Sequence, residues 1–154
     1  KAGVITITGD ILKAIAAFAL CNVLFPELAP TAGFYACIGV VIGHDFPFYL
    51  HFKGGKGIAA TIGMMLCFGY LWSWIVVVDV VIGLAGVFLT GFISVGSLLF
   101  SLVLPISIAV AGAPVEWVVV VCCMSALAFY QHRANIGRLM QGKENKFTFK
   151  KSNS

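Results

Sequence analysis

From Gly57 to His132 the chain has no lysine and no arginine, and its only formal charges there are Asp79 and Glu116. A water-soluble core does not run that far without cations. The gap also excludes a nucleic-acid surface, because the net charge of +4 gathers beside apolar runs instead of forming a basic patch. Charged residues of all kinds make up only 10% of the sequence against 60% hydrophobic, and the mean hydropathy is +1.02. Metal and redox motifs are missing as well. The five cysteines, Cys21, Cys37, Cys67, Cys122 and Cys123, sit inside apolar runs with no histidine at ligand spacing, and read as small hydrophobes. No metal, cofactor or nucleic-acid partner is expected, and a monomer is. The chain opens at Lys1 with neither a methionine nor a signal peptide, so it reads as the middle of a longer protein.

What is present is a set of apolar runs. They predict an all-α, polytopic helical bundle in the membrane, one domain over residues 1–154. Lys1–Gly9 reads as a mildly polar lead-in, and Gly9-Asp10 as a helix start. Six spans are expected, near residues 11–25, 31–43, 57–70, 75–89, 94–110 and 115–130, with a polar tail from Gln131 onward. The stretch 31–43 rises only about 20 Å against an apolar thickness of about 30 Å, so the polar segment after Gly43 is expected to dip below the membrane surface. Six crossings put both termini on one side, together with all ten Lys and Arg residues: Lys1, Lys13, Lys53, Lys56, Arg133, Arg138, Lys143, Lys146, Lys150 and Lys151. By the positive-inside rule that side is cytoplasmic. The opposite loops hold Glu27 and Glu116.

The candidate chemistry lies in the polar segments. Gly43-His44-Asp45-Phe46-Pro47 is followed by Phe52-Lys53-Gly54-Gly55-Lys56-Gly57. Glycines around a lysine, leading into a helix start, can turn backbone N–H groups toward an anion. This is not a Walker A loop, since Leu50 stands where the first glycine would be and Ile58 where Ser or Thr would be. A tight basic turn resting on anionic lipid explains the same residues equally well. The second cluster is His132-Arg133-Ala134-Asn135-Ile136-Gly137-Arg138, then Gly142-Lys143-Glu144. His132, Asn135 and Arg138 recur every three residues and share a helix face. Such a stripe suits a polar pocket, or a stop-transfer anchor. Ser94 and Ser97 lie at the same end of the fifth span, and Asp10 and Lys13, three apart on the first, form a fourth polar point. Asp79 falls within a span, where it must reach water, be paired or be protonated.

In order and spacing, GHDFP, FKGGKGIAAT and HRANIGRLMQGKENKF resemble the second and third signature motifs of the bacterial acyl-phosphate:glycerol-3-phosphate acyltransferases, the PlsY family. The resemblance covers essentially the whole chain. It implies a seven-span enzyme of the bacterial inner membrane with cytoplasmic motif loops. The reaction it implies moves an acyl chain from acyl phosphate to the 1-hydroxyl of glycerol 3-phosphate, giving lysophosphatidic acid and phosphate for phospholipid synthesis. The six spans here would be the family's second to seventh, and its first motif would precede Lys1. By resemblance Lys56 is the phosphate-binding lysine, Gly54, Gly55 and Gly57 form the phosphate loop, Ser97 contacts substrate, and His132 and Asn135 are the paired residues of the last motif. His44, Asp10, Lys13 and Arg138 would support them. Many members carry Arg where this chain has Gly91 and Gln131.

Glycerol 3-phosphate, acyl phosphate and membrane lipid are thus the expected partners. The residues suit that chemistry. An acyl phosphate is already activated, so transfer needs both phosphates held and the developing carbonyl charge stabilised, not a protein nucleophile. No Ser–His–acid array is evident, and the HxxxxD spacing of other acyltransferases fails, since Tyr49 lies five residues after His44. The alternative is a transporter of a small phosphorylated anion, which a lysine at a half-buried helix start would also suit.

Overall fold

The computed structural model describes residues 2–147, all helix and turn. Lys1, Lys150 and Lys151 of the expected basic side lie outside the described residues. The helices are α1 (Ala2–Leu24), α2 (Thr31–Asp45), α3 (Ile58–Phe68), α4 (Ser73–Thr90), α5 (Ile93–Val110), α6 (Val115–Gln131) and α7 (Arg133–Met140). Four of these runs, Gly3–Leu24, Thr31–Leu50, Ser73–Thr90 and Ile93–Val110, are long and apolar enough to cross a membrane. A fifth arises if α6 and α7, bent by 55°, count as one. The protein is therefore a polytopic helical membrane bundle with four to five such spans.

Two expectations need correction. The lead-in before Asp10 is helical, because Val4, Ile5 and Ile7 continue the apolar run and Gly9 is tolerated within it. Asp10 does not start the helix; its carboxylate accepts from Lys13 one turn on. The third expected span holds only the 11-residue α3, about 16 Å of rise, too short to cross alone. The polar tail runs on as α7, Arg133–Met140, after a break at His132, in keeping with the helix face expected for His132, Asn135 and Arg138.

The chain divides into two compact units, Lys1–Val76 and Val77–Ser154. In the first, α1 packs on both α2 and α3. Phe18, Phe34, Met64, Met65 and Phe68 are buried there, with the Phe34 and Phe68 rings 5.9 Å apart. A Cβ on Gly63 would lie 2.5 Å from the Ile11 carbonyl oxygen, so α1 and α3 touch through backbone. The start of α2 is capped from α1, where the Asn22 Oδ1 accepts from the Gly33 N–H at 2.9 Å. This satisfies one of the donors that a helix start leaves open.

In the second unit Gly83, Gly86 and Gly96 let α4 and α5 approach closely; a Cβ on Gly86 would lie 3.1 Å from the Gly96 Cα. Asp79 is fully buried, and its Oδ1 accepts from the Ser107 hydroxyl of α5 at 2.6 Å. So the intraspan acid is paired. Pro105 interrupts α5. Lacking an N–H, it cannot bond the carbonyl four residues back, which belongs to Ser101. Ser125 of α6 donates to that carbonyl at 2.6 Å. In an apolar surround such a repair is needed, because an orphaned carbonyl finds no water.

Ser125→Ala should therefore cost about 1–2 kcal/mol of stability. Pro105→Ala, which restores the intrahelical donor, should recover most of that loss in the double variant. Unfolding in mixed micelles reads both. Additive losses in the cycle would show that Ser125 does not serve the proline break.

Candidate functional site

In the first unit the glycine loop is built from the end of α2. After Asp45 the chain turns through Pro47 and a 3-10 turn, Phe48–Leu50, then runs back past α2's end. The Gly54 N–H donates to the Asp45 carbonyl and the Gly55 N–H to the His44 carbonyl, each at 3.1 Å. These bonds close carbonyls that the helix end would leave open. Each glycine meets a distinct constraint. A side chain on Gly54 would strike the His44 carbonyl and Pro47; on Gly55 it would strike the His44 ring. Gly57 has φ +68 at the start of α3, with the Asp45 Oδ1 2.9 Å from where its Cβ would be.

No side chain caps α3 at its N-terminal residue, and the Thr61 N–H is the donor that reaches the Gly57 carbonyl. The helix start presents N–H groups with no partner inside the helix. Asp45 already brings one negative charge to this end. A second anion there needs a cation beside it, and exposed Lys56, next in sequence, supplies one.

The His44 ring pressed against Gly55 is itself held. Lys13 Nζ lies 2.7 Å from Asp10 Oδ1 and 2.8 Å from His44 Nδ1. An ammonium only donates, so Nδ1 accepts and the ring is neutral with its proton on Nε2. Asp10 Oδ1 and His44 Nδ1 are 3.3 Å apart because both accept from Lys13, not because they bond each other. The expected Asp10–Lys13 pair is thus a three-residue strut. Lys13 is midway along α1, so α2 ends and the glycine loop begins at the level of α1's middle.

In the second unit the break between α6 and α7 falls at His132, which is buried. Its Nδ1 lies 2.8 Å from the Ala128 carbonyl oxygen, so Nδ1 is the donor and ties the ring back to α6. Asn135 is buried on α7, and its Nδ2 donates to Glu144 Oε1 at 2.6 Å. Arg138 Nε donates to Glu144 Oε2 at 2.7 Å, and the Ser94 hydroxyl to Oε1 at 2.9 Å. The turn at Gly142 brings Glu144 back, and the Phe147 N–H donates to the Gly91 carbonyl at 2.7 Å. In the stripe of His132, Asn135 and Arg138, Glu144 gathers Asn135 and Arg138 together with Ser94, while His132 bonds back to α6. Ser97 is one turn further along α5, half-buried, its carbonyl accepting from Ser101.

Sequence reasoning gave Glu144 and Asp45 no role. The available signal was a single acid among cations in each motif. Among the described residues, no three His, Cys, Asp or Glu side chains converge as a metal site would.

Each unit therefore offers a polar cluster on an apolar helical scaffold: a glycine loop with a lysine in one, buried His132 and a carboxylate clasp on Asn135 in the other. That is the makeup of a membrane protein acting on polar, anionic molecules. The sequence profile of the glycerol-3-phosphate acyltransferases matches residues 1–142, and the chain belongs to that family. A glycerol-3-phosphate acyltransferase of Mesorhizobium japonicum is 38% identical over 141 residues, covering 92% of this chain and 68% of that one. Another from Halalkalibacterium halodurans is 36% identical, covering 92% and 69%. Among solved structures, the glycerol 3-phosphate form of PlsY (YgiH), an integral membrane glycerol 3-phosphate acyltransferase, superposes with a TM-score of 0.80 at 28% identity, covering 96% of this chain and 72% of that one. Its lysophosphatidic acid form gives 0.80 at 26% identity, covering 96% and 73%. This membership decides against the transporter alternative.

Donation from Asn135, Arg138 and Ser94 holds the Glu144 carboxyl below its ordinary value, with Asn135 the largest contributor. A lowered carboxyl stabilises the fold above the ordinary glutamate range, and the contribution is lost as pH falls through the lowered value. Protease cleavage near residues 142–147 should rise on acidification in the parent protein. In Glu144→Gln that pH dependence should flatten, with cleavage already raised at neutral pH. An unchanged acid profile in the variant would show that Glu144 does not hold the tail.

Proposed function

We propose that this protein transfers an acyl chain from acyl phosphate to the 1-hydroxyl of glycerol 3-phosphate, releasing lysophosphatidic acid and phosphate. The observation that carries the reading is the glycine loop: three glycines, each required by a contact or a left-handed backbone, next to Lys56 at the start of α3. It is supported by the family match over residues 1–142. The new ester bond forms as the substrate hydroxyl oxygen attacks the carbonyl carbon. The bond from that carbon to the phosphate oxygen breaks, and the hydroxyl proton passes to a phosphate oxygen of the substrates. The protein's part is to position and to neutralise.

In this reading Gly54, Gly55, Gly57 and Lys56 hold a substrate phosphate, and the Asp10–Lys13–His44 strut keeps the loop in place. His132 contacts a substrate beside Asn135. Asn135 and Ser97 position the substrates, and Arg138 supports Asn135 through Glu144. Both units belong to one acyltransferase domain, residues 1–154. Six crossings in this chain, the third made by α3 together with the turns on either side of it, seven spans with an upstream polar motif in the family arrangement, a monomeric state, and an inner-membrane setting with cytoplasmic motif loops complete the proposal.

Lys56→Ala should lower acyl transfer by roughly 30- to 150-fold, the equivalent of about 2–3 kcal/mol for one charge-assisted phosphate bond. Lys53→Ala, outside the glycine turn, should change the rate by less than about threefold. Initial rates in lipid with acyl phosphate and glycerol 3-phosphate measure both. Equal, small effects would reduce the loop to a membrane anchor.

Orientation has its own test. With the five native cysteines replaced, Lys53→Cys and Lys143→Cys should resist an impermeant thiol reagent in intact cells and react after permeabilisation. Labelling of either from outside overturns the cytoplasmic placement.

A further inference from the structure

Between α2 and the glycine loop lies a turn of unusual character. Phe48, Tyr49, Leu50 and Phe52 expose 80%, 70%, 51% and 65% of their surface. The turn is not a loose excursion. The Leu50 and Phe52 N–H groups both donate to the Pro47 carbonyl at 3.0 Å, and the Lys53 N–H to the Leu50 carbonyl at 3.1 Å. His51 and Phe52 hold left-handed backbone, φ 52 and φ 60, which a side-chain-bearing residue adopts at a cost. The backbone is ordered at such a cost while its aromatic side chains are left uncovered. In water that arrangement loses twice, since it neither relaxes the backbone nor hides the rings.

What covers the rings follows from the turn's neighbours. Phe48–Leu50 are the last residues of the apolar run Thr31–Leu50, whose helix shows Tyr35 and Ile42 outward as a lipid-facing span does. The turn hangs from an end of α2 that reaches only to α1's midpoint, where Lys13 meets His44. Beyond that level α1 continues with Val4, Ile5 and Ile7 exposed at 70%, 72% and 53%, an apolar surface suited to lipid. Lys53, and beyond it Lys56, follow the rings directly. Aromatic side chains backed by lysines are the composition that settles at the boundary of hydrocarbon and headgroups.

We propose that the Phe48–Phe52 turn is seated among the acyl chains at the margin of the leaflet, and that this seat draws the chain of the lipid-borne acyl donor alongside the glycine loop. The second half rests on the acyl-transfer reading given above; the first does not. The glycine loop is tied to the turn through Lys53 and Gly54, so the depth of the rings sets the depth of the loop. A water-soluble phosphate substrate reaches the loop without help from the rings. A donor with a long chain arrives through the lipid and gains from apolar contact there.

The seat is tested with the full chain in phosphatidylglycerol–phosphatidylethanolamine vesicles. The emission that Phe48→Trp adds to the parent protein should be quenched by lipids brominated near the carbonyl end of their chains, and little by aqueous acrylamide. Quenching by acrylamide and not by brominated lipid overturns the seat. In the same vesicles Phe48→Ser/Phe52→Ser should raise the KM for acyl phosphate on the order of tenfold, leaving the KM for glycerol 3-phosphate within about twofold. Equal changes in both, or none, overturn the role in donor capture even where the quenching holds. A protein that carries the proposed upstream motif and still transfers no acyl chain would refute the enzymatic reading, and the donor-capture half with it, while the quenching still reads the seat.

Discussion

The end of α2 is where the protein's central constraint is met. A helix that stops within an apolar surround leaves carbonyls that water cannot reach, and each must find a donor from the protein. Gly54 and Gly55 provide donors to Asp45 and His44, and only residues without side chains fit so close to that helix end. The glycine loop is thus also the cap of α2. A chain segment that solves a packing problem has its next residues, Lys56 and Gly57, delivered to the start of α3 as a consequence. The strut from Lys13 through His44 then fixes the ring on which Gly55 rests. Structure and candidate chemistry share the same few bonds, so a glycine substitution that spoils one cannot spare the other.

The second unit answers the same constraint with side chains. Ser125 serves the carbonyl that Pro105 frees, Ser107 serves Asp79, and Glu144 gathers Ser94, Asn135 and Arg138. These bonds cross between helices, so polar satisfaction and tertiary packing are here a single requirement.

Much of this was legible in the sequence because lipid simplifies the code. Apolar runs and one-sided lysines gave helices at close to the observed positions, and the glycine–lysine motif pointed to the loop that the structure pins to α2. The misreadings have local causes. Gly9-Asp10 carried a helix-start signal that the apolar run around it overrode. The third run had span-like hydropathy, but Gly57 and Gly69 bracket only a short helix. The helix after Gln131 was announced by the spacing of His132, Asn135 and Arg138, but Glu144, which holds it from beyond the helix itself, was not. The Ser94–Glu144 bond links residues fifty positions apart, and no local pattern announces such a pair. The same holds for Ser107 and Asp79.

The position of Glu144 gives synthesis a direction. During translation α5, α6 and α7 leave the ribosome before the residue that unites them, so Ser94, Asn135 and Arg138 enter the bilayer margin with their shared acceptor still unmade. Until Glu144 emerges and the turn at Gly142 brings it back, this cluster is a set of unanswered donors. The second unit's polar centre therefore matures late, after its apolar helices have packed.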